Sequence, residues 1–122
     1  MAHILIIDDE DLVRRSVCKF LEHEGHTVSE SSTGKEGLDL VHRQSFDLLI
    51  TDIFMPEIDG LEVIQKLRQE NSSLKILAIT GGGTTGGFNF LPQAKAFGAH
   101  ATLRKPFLHE ELLEALQVAL NA

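Results

Sequence analysis

Three carboxylates of this sequence stand where they could bind a cation or attack an electrophile. Asp8 and Asp9 directly follow the short apolar run His3–Ile7, and Asp52 directly follows the run Asp47–Thr51. Carboxylate oxygens are ligands that hard cations such as Mg²⁺ prefer. A positioned carboxylate can also act as the nucleophile in group transfer. Whether these carboxylates act together depends on the elements that position them.

The residues after Asp52 indicate how the chain presents its side chain. Pro56 has no backbone N–H and cannot continue a strand, and it restricts Met55 to an extended conformation. Asp52 is therefore predicted at the exposed carboxyl end of a buried strand. Aspartate is also common where a strand simply passes into a turn. The case for a chemical role therefore depends on the neighbours of Asp52.

The composition is that of one small domain. The 122 residues are 43% hydrophobic, which is enough for a core, and the single cysteine can form no intrachain disulfide. The formal net charge of −7 disfavours a sequence-independent nucleic-acid surface, which needs clustered basic residues. No apolar run is long enough for a membrane span, and no signal-like segment opens the chain. We therefore expect one cytoplasmic domain over residues 1–122, with no membrane or direct nucleic-acid contact.

Five strand–helix repeats define the expected fold class. The predicted strands are His3–Ile7, His26–Glu30, Asp47–Thr51, Lys75–Ile79 and Ala99–Leu103. Helix starts are marked at Thr33 and Asp59, helix ends at Gly25 and Gly98, and a turn is predicted at Arg104–Phe107. The second and fifth strands are the weaker ones, as edge strands should be. The pattern predicts a flavodoxin-like (βα)5 three-layer sandwich with a parallel sheet of order 2-1-3-4-5.

This strand order brings the acidic residues together. The first and third strands become neighbours at the topological switch point, beyond whose carboxyl ends ligands bind. Asp8, Asp9 and Asp52 would repel one another there, and Mg²⁺ would relieve the repulsion. Thr80 closes the fourth strand with a hydroxyl, and Lys105 closes the fifth with an ammonium. A Mg²⁺ site, a hydroxyl and an ammonium around one carboxylate predict phosphoryl transfer with Asp52 as the nucleophile.

These motifs together resemble the receiver domain of two-component response regulators, of the chemotaxis-regulator kind, over essentially the whole chain. The matching segments are Ile7–Glu10, Thr51–Pro56 with Asp59–Gly60, Ile79–Thr80, Phe97–Ala99 and Lys105–Phe107. The resemblance implies that Asp52 accepts a phosphoryl group from a sensor histidine kinase or phosphotransfer protein. It also implies a downstream protein target, and a regulatory domain that catalyses only its own phosphotransfer and dephosphorylation.

The resemblance further implies roles for the residues around the phosphoacceptor. The Thr80 hydroxyl would bind a phosphoryl oxygen and move on activation, and Lys105 would pair with the phosphoryl group. The implied Mg²⁺ ligands are the carboxylates of Asp8, Asp9 and Asp52 and the backbone carbonyl of Phe54.

Two features depart from the pattern of the family. Thr102 stands where many receivers carry an aromatic residue that changes rotamer when the threonine moves. The loop after Thr80 is longer and richer in glycine than usual, so ordering it costs much backbone entropy. We therefore expect phosphorylation to order the segment Gly81–Phe90 rather than to act through the fifth strand.

A second function class stays open at this point. A pseudo-receiver of the same fold would bind proteins without being phosphorylated, and Mg²⁺-dependent labelling by a small phosphodonor separates the two classes. A nucleotide-binding P-loop is disfavoured, because Gly82–Gly87 is followed by Phe88 and not by the lysine that such a loop requires.

Overall fold

One parallel sheet forms the centre of the structure, a computed structural model that describes residues 1–70, 72–81 and 91–122. The strands are β1 His3–Ile7, β2 Thr27–Ser31, β3 Leu48–Asp52, β4 Lys75–Gly81 and β5 Ala101–Lys105. The helices are α1 Asp11–His23, α2 Gly34–Arg43, α3 Gly60–Gln69, α4 Leu91–Phe97 and α5 His109–Leu120. The strand order is β2-β1-β3-β4-β5, which confirms the predicted flavodoxin-like fold with β2 and β5 at the edges.

Two apolar layers cover the sheet, and successive residues of β1 enter opposite layers. Ile4 and Ile6 pack in the layer that contains buried residues of α1 and α5. Leu5 and Ile7 pack in the layer that contains buried residues of α2, α3 and α4. Because both faces of a central strand are covered, its sequence is continuously apolar rather than alternating. The continuous apolar runs therefore predicted the central strands from the sequence.

The helix boundaries follow the capping signals in the sequence. The Thr33 hydroxyl accepts the backbone N–H of Glu36 at 3.1 Å, and the Asp59 carboxylate accepts that of Glu62 at 2.9 Å. After α4, Gly98 has a φ of 125°, a left-handed conformation that suits glycine. The predicted starts of α2 and α3 and the predicted end of α4 are therefore confirmed.

The fifth strand begins and ends two residues later than predicted. β5 continues to Lys105 because it pairs with β4 as far as Gly81, so the predicted turn at Arg104–Phe107 is wrong for its first two residues. The strand does not begin at Ala99 because the N–H of this residue donates to the Ala94 carbonyl, 2.9 Å away, at the end of α4. The later register makes Lys105 part of the sheet, which restrains its main chain.

The two features that depart from the family pattern have different outcomes. Thr102 lies half-buried in β5, opposite Ala78 of β4, beside a surface cavity of about 300 Å³ between β5 and α5. The segment Gly81–Phe90 lies outside the described residues except for Gly81, the last residue of β4, so its ordering by phosphorylation stays a prediction.

Within the described ranges, no helix is long and apolar enough to cross a membrane.

His100 joins the amino ends of β4 and β5. The ring atom Nδ1 of His100 accepts the backbone N–H of Ile76 at 3.1 Å, and the backbone N–H of His100 donates to the Ile76 carbonyl at 2.8 Å. Burial, together with the positive charges of Arg68 and Lys75, lowers the pKa of His100 below its usual value. Protonation would remove the acceptor that Ile76 uses.

We expect this histidine to make the fold less stable in mild acid. The unfolded chain binds the proton first, so the free energy of unfolding should fall as the pH drops below about 6.5 towards the folded pKa. His100→Asn keeps an oxygen acceptor but does not titrate, so its loss of stability between about pH 7 and pH 5 should be smaller than that of the wild type. Urea unfolding at both pH values measures this. His23→Asn, at an exposed position, is the control, and equal pH dependence in His100→Asn and wild type would contradict the prediction.

Candidate functional site

Two buried carboxylates end neighbouring strands at the same level. Ile7 pairs with Thr51 across β1 and β3, so Asp8, the next residue, leaves β1 beside Asp52 at the end of β3. Both residues are almost fully buried, with relative exposures of 3% for Asp8 and 4% for Asp52. The parallel register of β1 and β3 thus places two carboxylates together at the predicted switch point.

One ammonium group contacts three carboxylates in this site. Lys105 Nζ lies 3.0 Å from Asp8 Oδ2, 2.8 Å from Glu10 Oε1 and 3.2 Å from Asp52 Oδ2. Burial by itself would lower the pKa of Lys105, but the hydrogen bond to Glu10 and the charge of Asp52 outweigh it and raise this pKa above its usual value. Lys105 therefore stays charged, and with all three carboxylates ionised the group keeps an excess of negative charge.

The Asp52 carboxyl is held in an unfavourable environment for its charge. The pKa of Asp52 is raised from 3.8 to about 6, because burial and the charges of Asp8 and Asp9 together outweigh the opposite effect of Lys105. Its Oδ1 atom is buried and has no hydrogen-bond partner among the described residues. A buried acceptor without a partner is costly, and an electropositive ligand would remove that cost.

The carboxylates fit a divalent cation. Asp8, Glu10 and Asp52 each offer an oxygen atom, and these three oxygens lie within 4.8 Å of one another. Asp52 Oδ1, which has no partner within the part of the chain that the structure describes, is a further oxygen that a cation could use. An all-oxygen set with high negative charge suits a hard cation such as Mg²⁺, which usually takes one or two carboxylates, several waters and phosphate oxygens.

Glu10 belongs to this carboxylate group, although the sequence analysis did not select it. It is the N-cap residue of α1, but its side chain makes no capping hydrogen bond and contacts Lys105 instead. The available signal was a third acidic residue directly after Asp8 and Asp9. Asp9, which was selected, is exposed and lies outside the group of converging oxygens. Its charge still acts on Asp52.

The remaining predicted residues lie close in the fold, and their roles stay predictions. Thr80 is buried at the carboxyl end of β4, one residue beyond Ile79, which pairs with Asp52. Phe54 follows the end of β3 in the β3–α3 loop and is half-buried. The structure thus brings Asp8, Asp52 and Lys105 into direct contact, places Thr80 on the adjacent strand end, and leaves Asp9 towards solvent.

Gly60 lets the first turn of α3 pack directly against the main chain at Asp52. Its N–H donates to the Ile53 carbonyl at 2.8 Å, and a Cβ atom at this position would lie 2.1 Å from the Asp52 carbonyl oxygen. That distance is far below van der Waals contact, and the opposing atom is backbone, which cannot rotate away. The glycine therefore fixes how closely α3 approaches the strand that ends at Asp52.

We expect Gly60→Ala to destabilise the fold by about 2–3 kcal/mol, because the added methyl group forces the helix away from β3. Helix propensity alone would favour alanine, so the sign of the effect distinguishes the clash from propensity. Gly81→Ala is the matched control, since no atom of the described residues lies within 4 Å of its added Cβ, and its effect should stay within about 0.5 kcal/mol. Urea unfolding measures both variants. Equal stability of the two would contradict the steric argument.

The chain matches a known protein family over almost its whole length. Residues 4–117 match the family model described as response regulator receiver domain. The sequence is 37% identical over 118 residues to the response regulator MprA of Mycobacterium leprae, covering 97% of this chain and 50% of that protein. It is 33% identical over 122 residues to YkoG of Bacillus subtilis, named an uncharacterized transcriptional regulatory protein, covering 98% of this chain and 51% of the relative. The chain thus spans about half the length of these curated relatives.

Solved structures share the fold of this chain over nearly its whole length. A response regulator receiver domain protein from Clostridium thermocellum superposes with a TM-score of 0.88 at 30% identity, covering 99% of this chain and 95% of the other. The chemotaxis protein CheY4 of Vibrio cholerae superposes with a TM-score of 0.85 at 32% identity, covering 98% of each chain. The sheet order and the five helices described above are those of this fold.

Proposed function

Because this chain belongs to the response regulator receiver family, we propose that it is a phosphorylation-dependent signalling switch with Asp52 as its phosphoacceptor. The donor would be a sensor histidine kinase or a phosphotransfer protein, the reaction would depend on Mg²⁺, and the output would be a protein contact. One observation carries the proposal: the buried Asp52 lies beside Lys105 and two further carboxylates, and one of its oxygens has no hydrogen-bond partner among the described residues.

The proposed step is the transfer of a phosphoryl group to the carboxylate. An Asp52 oxygen attacks phosphorus, an O–P bond forms, and the P–N bond of a phosphohistidine donor breaks. The electron pair of the broken bond stays on the leaving imidazole, which takes up a proton. Phosphoryl transfer needs in-line positioning and charge neutralisation more than further covalent help. A deprotonated Asp52 is the reactive form, so a pKa of about 6 leaves most molecules competent at neutral pH.

The charged groups of the site have complementary roles in this proposal. Asp8, Glu10 and Asp52 would hold Mg²⁺, and Asp9 and the Phe54 carbonyl are further candidates from the family pattern. Bound Mg²⁺ supplies positive charge that carboxylate and phosphoryl oxygens share. The contacts of Lys105 with Asp8, Glu10 and Asp52 keep its ammonium close to Asp52, where it would pair with an oxygen of the phosphoryl group.

The remaining parts of the proposal concern the switch and the setting. Thr80 would donate its hydroxyl to a phosphoryl oxygen, because its buried position on β4 adjoins the strand that ends at Asp52. We propose that residues 1–122 act as one receiver domain in the cytoplasm, which modifies only itself and is no general enzyme. Because the chain spans about half the length of these relatives, their outputs do not carry over to it, and we propose only that the downstream target is a protein.

Labelling by a small phosphodonor tests the proposal. The purified chain is incubated with acetyl phosphate and either Mg²⁺ or a chelator, and the phosphorylated fraction is measured by intact mass. We expect labelling only with Mg²⁺. A folded protein that stays unlabelled with Mg²⁺ and acetyl phosphate, and with every histidine kinase of the source organism, would indicate a pseudo-receiver instead. The kinase that labels it fastest identifies the upstream partner.

A further inference from the structure

Arg14 is a charged residue that the fold buries beside the candidate metal site. Its relative exposure is 8%, and its guanidinium group makes three polar contacts. Nη1 donates to the backbone carbonyl of Asp8 at 2.9 Å and to Asp11 Oδ1 at 2.8 Å, and Nε donates to Glu30 Oε1 at 3.0 Å. The guanidinium thus connects α1, the edge strand β2 and the main chain of a candidate metal ligand.

The contacts of Asp8 show what the Arg14 contact adds. The Asp8 N–H donates to the Ser31 carbonyl at 3.1 Å, and its Oδ1 accepts the N–H of Glu10 at 2.9 Å. Its Oδ2 contacts Lys105, which would also serve the phosphoryl group. Arg14, by contrast, contacts the Asp8 carbonyl and none of the carboxylate oxygens of Asp8, Glu10 and Asp52. It can therefore fix the backbone of Asp8 whether or not the site holds a cation.

The chemistry of arginine suits this task. A planar guanidinium holds its N–H donors in a fixed fork, here towards a carbonyl and two carboxylates, and the compact ammonium of a lysine does not reproduce that geometry. Burial by itself would lower the pKa of Arg14, but hydrogen bonds and charge interactions with Asp11 and Glu30 outweigh this and raise it. The side chain therefore stays charged at every working pH.

We infer that Arg14 is a positioning residue that sets the Mg²⁺ affinity of the site by fixing the main chain of Asp8, with Glu30 of β2 holding the guanidinium in place. The inference rests on the proposed function, because it takes Asp8 as a Mg²⁺ ligand. Groups that orient metal ligands from behind typically change metal affinity by about 10- to 100-fold when they are lost. The edge strand β2 thereby contributes to the site in two ways, through the Ser31 carbonyl that accepts the Asp8 N–H and through Glu30, which holds Arg14.

Calorimetric titration of the purified chain with Mg²⁺ tests this inference. Arg14→Met keeps an unbranched apolar stem and removes the donors of the guanidinium, and we expect the Kd for Mg²⁺ to rise about tenfold or more. Arg14→Lys keeps the charge but not the geometry of the donors, so its Kd for Mg²⁺ should lie between the values of the wild type and Arg14→Met. Glu30→Gln should weaken binding less than Arg14→Met. Arg15→Met removes the same charge from an exposed neighbour and should leave the Kd within about twofold.

Two further measurements separate positioning from general stability. Ile4→Val trims the core at the far end of β1 at a cost of about 0.5–1.5 kcal/mol and should not change the Kd. In acetyl phosphate labelling, the Mg²⁺ concentration for half-maximal rate should rise in Arg14→Met in step with the Kd. The rate at saturating Mg²⁺ should stay within about twofold of the wild type, because Asp52 and Lys105 are unchanged.

The outcomes that overturn the inference are distinct from those that overturn the proposed function. Mg²⁺ binding to the wild type with an unchanged Kd in Arg14→Met refutes the positioning role alone. An equal rise of the Kd in Ile4→Val also refutes the positioning role, because a general loss of stability would then explain the weaker Mg²⁺ binding. If Arg14→Met does not fold, unchanged Kd values in both Arg14→Lys and Glu30→Gln refute it. A wild type that binds no Mg²⁺ refutes the proposed metal site and this inference together.

Discussion

Asp52→Asn is expected to abolish covalent labelling by acetyl phosphate in the presence of Mg²⁺. The asparagine amide has nearly the same shape as the carboxylate but is not a nucleophile, so the labelling rate should fall by roughly a thousandfold or more. The fold should be retained, because Lys105 keeps its contacts with Asp8 and Glu10. The measurement is the phosphorylated fraction by intact mass over time.

The control for this prediction is another aspartate of the same chain. Asp39 is exposed on α2, away from the site, so Asp39→Asn should be labelled at the wild-type rate. Peptide mapping of the labelled wild type should find the phosphoryl group on Asp52. Full labelling of Asp52→Asn, or a label that maps to another carboxylate, would refute the assignment of the phosphoacceptor.

Asp52→Asn is also expected to stabilise the fold when no divalent cation is present. The wild-type carboxyl is buried, lies beside Asp8 and leaves Oδ1 without a partner among the described residues. Removing its charge relieves burial and repulsion at the cost of the contact with Lys105. The free energy of unfolding should therefore rise by on the order of 1–3 kcal/mol at neutral pH. Urea unfolding in a chelator measures it.

The pH dependence of this stabilisation has a defined sign. The Asp52 pKa is about 6 in the folded protein against 3.8 without the fold, so the folded state binds the proton more tightly. The wild type therefore loses stability as the pH rises from about 4 to about 6, and the loss is complete above that range. Asp52→Asn lacks this loss, so its advantage should be largest above pH 7 and smallest near pH 4.

Two comparisons check that the stabilisation comes from the site. Asp39→Asn should show no advantage at either pH, because its carboxylate is exposed. Mg²⁺ should narrow the difference between wild type and Asp52→Asn, since a ligand that binds only the native state stabilises the protein with the intact site. If Asp52→Asn were less stable than wild type in chelator at neutral pH, the Lys105 contact would outweigh the cost of the buried charge, contrary to our expectation.

The fold class, the strand order and the meeting of Asp8, Asp52 and Lys105 could all be predicted from the sequence alone. These features follow from local patterns: continuous apolar runs mark strands covered on both faces, and capping residues such as Thr33 and Asp59 mark helix starts. Once strand order is known, the register of parallel strands brings Asp8 and Asp52 together. Lys105 joins them although it lies 97 residues from Asp8, because the sheet and not the sequence sets their separation.

Only the tertiary structure decided which carboxylates converge and what holds them. Asp9 and Glu10 are neighbouring carboxylate residues, but the turn from β1 into α1 directs Glu10 towards Lys105 and leaves Asp9 exposed. The contact between Arg14 and the Asp8 carbonyl has no signature in the chain, since many helices carry an arginine in their first turns. Side-chain direction, desolvation and polar partners depend on residues distant in sequence. For that reason the periodicities that reveal strands and helices could not reveal them.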